Sequence, residues 1–267
     1  MTAIAARARI AGYAVALGFA ELRALFTPGE WLTGWLLRVL CQVIFFGLVG
    51  RSVGGGDTAR YMVIGNAVLL VGFEAMFVVL STVMERAQGT LVLLVASPTG
   101  PANVYMARGL QWVCTGTFTS TVALVAVPLV VGVPLDLSRV PLVLPLLVLT
   151  ALSCYAYGCV LATVALRAPS VMWVLLNLGY LVLAMLCGVN VPTSFWPGWL
   201  EHAVGFLPLT HGLSAIRDVL DGASLAAVLP AAALELAVAA GWFALALLLT
   251  RDVMARSRAD GTLDLFG

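Results

Sequence analysis

Residues Tyr61–Val83 read YMVIGNAVLLVGFEAMFVVLSTV, and the only side chain among them that is charged at neutral pH in water is Glu74. A helix of this length rises about 34 Å at 1.5 Å per residue, enough to cross the ~30 Å hydrocarbon layer of a bilayer. Five further apolar runs flank it: about Thr33–Gly50, Val104–Val133, Pro141–Leu166, Ser170–Val191 and Leu225–Thr250. In lipid the backbone must satisfy its own hydrogen bonds, so continuous runs of this kind are helices. The sequence predicts an all-α integral membrane protein with six transmembrane helices. It divides as 1–32, an N-terminal interfacial segment; 33–250, the six-helix membrane domain; and 251–267, a cytoplasmic tail.

Composition agrees. Of 267 residues, 62% are hydrophobic and 10% charged, whereas soluble domains are about half apolar and a quarter charged. A net charge of +1 supplies no footprint for nucleic acid. All fourteen basic residues are arginine. A G-x-x-x-x-G-K-[ST] phosphate loop needs its lysine, so any ATP energy must arrive from another polypeptide. The two histidines, His202 and His211, have no metal-ligand spacing around them. The five cysteines fall inside apolar runs, as small buried hydrophobes do.

Arginine placement sets the expected orientation. With the N-terminus inside, Arg7, Arg9, Arg23, Arg38, Arg86, Arg108, Arg167, Arg251, Arg256 and Arg258 fall on the cytoplasmic side. Arg51, Arg60, Arg139 and Arg217 fall outside. Both termini are therefore expected in the cytoplasm. Residues 10–26 read best as an amphipathic helix lying in the inner interface; a seventh span and a signal peptide are the alternatives.

One segment is too short and broken to span: MERAQGTLVLLVASPTGP, Met84–Pro101. Leu91, Leu94 and Val95 share a helical face, Thr90 is positioned to cap that helix, and Ser97-Pro98 ends it. An apolar face toward the cytosol needs a cover, either the membrane surface or a docked protein. Two acids lie within spans, Glu74 and Glu235. A central acid costs about 2.5–3.5 kcal/mol on insertion scales, so each must face protein or water. Glu74 and Asn177 are candidate pathway or interface residues, or else Glu74 is an acid satisfied by Asn177, Ser81 or Ser153. Glu235 is expected to be structural.

The segment Glu85, Arg86, Gly89, Thr90, Leu91, Leu94, Ser97 and Pro98 resembles a loop of the permease subunits of ATP-binding-cassette transporters of the type-2 exporter class. That loop typically reads Glu-Arg/Lys-x-x-Gly-Thr-Leu-x-x-Leu-x-x-[Ser/Thr]-Pro. A second stretch, Cys187–Gly222, is similar to the same family's outer loop through Gly188, Pro192, Pro197, Trp199, Leu200, Pro208, Leu209, Thr210, Arg217 and Gly222; Trp196 joins its interfacial aromatic cluster. The resemblance implies a cytoplasmic coupling helix between helices 2 and 3, docked on an ATPase subunit, and re-entrant helices between helices 5 and 6 that shape an outer gate. It further implies two copies of an ATP-binding-cassette ATPase carrying ATP and Mg, a second permease copy or homologue, and the bacterial inner membrane. This chain itself would bind no cofactor. Val92 departs from the family, where many members carry a polar residue. Smooth spans lean in aromatics suit an amphipathic drug, natural product or lipid-like substrate. A polysaccharide or glycolipid permease is the alternative within the class, and a proton-coupled secondary transporter using Glu74 the rival from another.

Overall fold

The computed structural model describes residues 12–13, 15–20, 23, 27–89 and 106–260, and among them every regular element is helical. The first long helix begins at a capping box. The Thr27 N–H and hydroxyl both donate to Glu30 Oε2, at 2.9 and 2.8 Å, while the Glu30 N–H donates back to Thr27 Oγ1 at 3.3 Å. This reciprocal pairing satisfies donors that a helix start leaves open. A π-wound segment, Trp31–Leu36, leads into α1 (Leu37–Ala75).

α1 is bent double at Gly55, whose φ of 76° and ψ of −156° belong to the region that only glycine enters freely. Trp35 hydrogen-bonds Glu74. A Cβ on Gly47 would lie 2.7 Å from Val63, and one on Gly50 would lie 2.8 Å from the Ala59 Cα. Contacts that converge on Gly55 in this way define two antiparallel arms, 37–54 and 56–75. After a local break at Met76 the second arm continues as α2 (Phe77–Ala87). There follow α3 (Leu110–Val131), α4 (Val140–Arg167), α5 (Met172–Leu186), the short α6 (Gly198–Val204), α7 (Thr210–Leu220) and α8 (Leu225–Asp260).

Five stretches are long and apolar enough to cross a membrane: Trp31–Ala87, Met106–Val131, Leu137–Arg167, Pro169–Leu186 and Leu225–Arg256. The first contains two of the expected runs, joined by the turn at Gly55. The stretch RSVGGGDTAR, expected as a ten-residue break, is helical on both sides of that glycine. The expected span Ser170–Val191 stops at Leu186, because Gly188 takes φ 80° and the chain turns irregular there. The expected tail is helical from 251 to Asp260.

The second arm is the axis of the bundle. Residues 63–76 are buried without interruption, walled by the first arm, α3, α4 and α5. Small side chains permit the close approach on which helix packing in lipid depends. Gly158 of α4 sits where a Cβ would come within 2.9 Å of the Ala75 carbonyl oxygen. On the far side of α4, the Thr163 and Thr250 hydroxyls meet at 2.9 Å. α5 and α8 are peripheral and turn Leu178, Leu181, Met185, Leu229, Leu236 and Leu248 outward, as lipid-facing helices do. Residues 15–20 form a helix that packs through Gly18 on Arg108 and Gln111, at the Glu85 end of the bundle. Tyr13 and Leu17 remain exposed.

Candidate functional site

Among the described residues three polar clusters stand out in this apolar protein. The largest lies at the Gly55 end, around α7. A helix in a low-dielectric setting leaves unpaired amides at its start and unpaired carbonyls at its end, with a dipole of matching sign. α7 is neutralised at both. Glu235, reaching over from α8 and wholly buried, accepts the Leu209 N–H at 3.1 Å and the Gly212 N–H at 2.9 Å. Leu209 holds a φ of 82°, a strained value for a residue with a side chain. At the other end, Arg139 Nη1 donates to the Val219 carbonyl at 3.1 Å and Arg60 Nη2 to that of Leu220 at 3.2 Å. Arg60 also pairs with Asp221. Asp136 orients Arg139, and bonds from the Ser138 hydroxyl and amide, followed by Arg139 itself, hold the Asp136 carboxyl below its ordinary range.

Arg217, two helical turns after Thr210, binds the irregular strand that precedes α6. Its guanidinium donates to the carbonyls of Gly188 (2.8 Å), Val189 (3.1 Å) and Tyr61 (3.1 Å), and lies 3.5 Å over the Tyr61 ring. The Tyr61 hydroxyl donates to the same Gly188 carbonyl at 2.7 Å. Asn66 Nδ2 donates to Asn190 Oδ1 at 2.8 Å. Three elements thus converge on one planar five-donor group, a task for which the lysine point charge is poorly suited. Above it opens a cavity of about 490 Å³, lined by Tyr61, Pro192, Thr193, Thr210, His211 and Arg217 among others.

The sequence-predicted outer-gate residues divide here. Pro192, Thr210 and Arg217 line the cavity. Pro208 is buried beneath it, accepting from Cys187 Sγ. Pro197 starts α6. Trp196 is half-buried and Trp199 is 75% exposed; neither lines the cavity. Both histidines face backbone carbonyls, His202 that of Gly198 and His211 that of Gly205 at 3.0 Å. Among the described residues there is no cluster suited to a metal ion.

The second cluster is Glu74, 1% exposed. It accepts from Trp35 Nε1 at 2.7 Å, Thr115 Oγ1 at 3.2 Å and Thr119 Oγ1 at 3.3 Å. The first arm and α3 are thereby tied to the second arm through one carboxylate. The expected partners are not used. Asn177 is exposed on α5 and donates to the Trp173 carbonyl one turn earlier, Ser81 donates to Val78, and the buried Ser153 hydroxyl makes no hydrogen bond among the described residues. Trp35 stacks on Phe73 at 5.5 Å and meets Phe77 edge-on at 4.9 Å.

The third cluster stands at the opposite end. Glu85 pairs with Arg108 at 3.3 Å, both sides largely covered, and Arg86 Nη1 donates to the Leu166 carbonyl at the end of α4. Gly89, with φ 73°, closes α2 in the left-handed conformation usual after a helix; it ends the preceding helix. The predicted coupling positions Thr90, Leu91, Leu94, Ser97 and Pro98 lie outside the described residues.

Several participants escaped the sequence reading. Trp35, Thr115 and Thr119 around Glu74, and Arg60 and Arg139 at the end of α7, are ordinary residues of apolar or flanking runs. Only the two span acids signalled that donors had to be found somewhere.

A bundle of long apolar helices with acids buried against donors is a multi-pass membrane protein. Its profile matches the ABC-2 type transporter family over residues 24–220, most of the chain, and the protein belongs to that family as a permease component. No curated protein matches it.

Proposed function

We propose that this chain is one half of the membrane domain of an ATP-driven exporter, working with a second permease and two ATP-binding-cassette ATPase subunits. Six helical passes cross the bilayer, two of them the arms joined at Gly55. The Gly55 end faces outward and the Glu85 end the cytoplasm. The bias of arginines toward the latter side, Arg86, Arg108, Arg167, Arg251 and Arg256 among them, supports that orientation.

The observation that carries the reading is the bracing around residues 90–105. Where the chain leaves α2, Glu85 is paired with Arg108, which lies in the helical turn just before α3, and Arg86 is fixed to the end of α4. A displacement applied to the intervening segment would reach α2, α3 and α4 together. That segment carries the Gly89, Thr90, Leu91, Leu94, Ser97, Pro98 pattern, which in related permeases docks on the ATPase. ATP-driven closure of the ATPase pair would move these helices and push the substrate, an amphipathic drug, natural product or lipid-like molecule, toward the cavity under α6 and α7. The re-entrant course expected for that region fits two short helices of 7 and 11 residues, each too short to cross.

Proton coupling through Glu74 draws less support. Among the described residues its three partners are a tryptophan and two threonines, and no ionisable residue hydrogen-bonds it. The test is the double substitution L91D/L94D. Export should be lost while membrane insertion and the ATPase activity of the partner persist. Unchanged export would remove these residues from the coupling path.

A further inference from the structure

Arg38 occupies a depth at which an exposed charge demands an explanation. Across the hairpin Trp35 faces Glu74 and Gly47 faces Val63, which sets Arg38 level with about Val71. At 1.5 Å per residue this lies roughly 16 Å from Arg60 at one end and roughly 21 Å from Glu85 at the other. Arg38 is therefore near the middle of the bundle, yet it is exposed. It belongs among the buried-depth residues, not on the cytoplasmic margin where its position in the sequence placed it. Among the described residues no carboxylate pairs with it. Its guanidinium lies 5.6 Å from the Trp35 ring centre and 5.5 Å from that of Phe73. Glu74, behind Trp35, is occupied by that indole and by Thr115 and Thr119.

Beside it the first arm and α5 meet over aromatic side chains: Trp35 and Phe73 stack, and Tyr180 meets Phe73 edge-on at 5.2 Å. Gln42, one turn beyond Arg38, donates to the Tyr180 hydroxyl. A cation and two further polar groups thus border an aromatic wall, open toward lipid. A second copy of this chain, related by an axis along the membrane normal, would present its groups at the same depths. Among the described exposed acids Glu30 is the nearest in depth, roughly 12 Å toward the Glu85 end at 1.5 Å per residue, so a partner copy offers no counter-charge.

We infer that Arg38, with Gln42 and Tyr180, receives the anionic head group of an amphiphile in transit while the half-buried Trp35 contacts its apolar part. This rests on the exporter reading and narrows its substrate to anionic amphiphiles, phosphate or carboxylate in the head. A guanidinium offers paired donors to either oxyanion. A charge at this depth is stabilised far more by such a ligand than by lipid chains.

The full chain in non-ionic detergent, titrated with dodecyl phosphate and followed by native mass spectrometry, tests it. Dodecyl phosphate should bind roughly ten-fold or more tighter than zwitterionic dodecylphosphocholine. R38Q should erase that preference at an unchanged melting temperature, and R38K should retain part of it. R256Q, altering a surface arginine already paired with Asp252, should leave it intact. Equal binding of the two amphiphiles by the native chain, or an undiminished preference in R38Q, would overturn the inference. So would competition by inorganic phosphate alone, which would mark a free-anion site. Failure of an ATPase subunit to copurify would instead sink the exporter reading and leave this binding result standing.

Discussion

Glu235 is the residue whose loss has the most directly calculable effect. Its two oxygens accept the Leu209 and Gly212 amides at 3.1 and 2.9 Å, in a site closed to solvent. E235A removes both acceptors and leaves two buried donors at the start of α7. Charge-assisted hydrogen bonds contribute about 1.5–3 kcal/mol each in soluble proteins. In bilayers measured interhelical bonds average about 0.6 and reach about 1.7 kcal/mol, because the unfolded chain finds other partners. Two such bonds at the upper bilayer value give a destabilisation of about 3 kcal/mol. For a chain of this size that lowers the melting temperature by about 6–12 °C. Glutamine supplies one acceptor and turns an NH2 group toward the other amide, so E235Q should fall between wild type and E235A. The assay is size-exclusion chromatography of heated, detergent-solubilised protein, paired with amide hydrogen exchange. Exchange should accelerate at Leu209 and Gly212 and stay slow around Thr163. Melting within about 1 °C of wild type for both variants would refute the claim that Glu235 holds α7 in place.

Two other substitutions probe the Glu74 cluster and the Arg217 anchor. E74A deprives Trp35, Thr115 and Thr119 of their common acceptor and should loosen the first arm, seen as a red shift and increased quenching of tryptophan emission; E74Q, which still accepts, should change it much less. G65A puts a methyl group against the Val189 carbonyl and 2.7 Å from Arg217 Nη2, so Arg217 must give up its bonds to Tyr61 and Val189. Limited proteolysis should then cut within 187–197, where the wild type resists.

The membrane character and most helix bodies were legible because lipid demands long apolar runs whatever their packing. What the sequence hid lay in contacts between distant positions. Nothing near Glu74 advertises Trp35, and nothing near α7 announces that Glu235 will meet its amides from the next helix. The end of α5 was overread for a related reason: CGVNV continues the apolar pattern, but the backbone there is held by Arg217 and Tyr61 instead of by helix bonds. The run RSVGGGDTAR looked like a loop, although one glycine suffices to reverse the chain. Arginine placement carried more than orientation. Arg51, Arg60, Arg139 and Arg217 all donate to carbonyls at helix ends or in the adjoining loop, an economy open to a forked guanidinium and unavailable to an ammonium group.

Everything proposed about energy input depends on a partner. The direct measurement is affinity purification of the full chain from its native membrane in mild detergent, with quantification of whatever accompanies it. The account predicts an ATP-binding-cassette ATPase in one-to-one ratio with the permease, released by L91D/L94D. Recovery of the intact permease without any such subunit would contradict it.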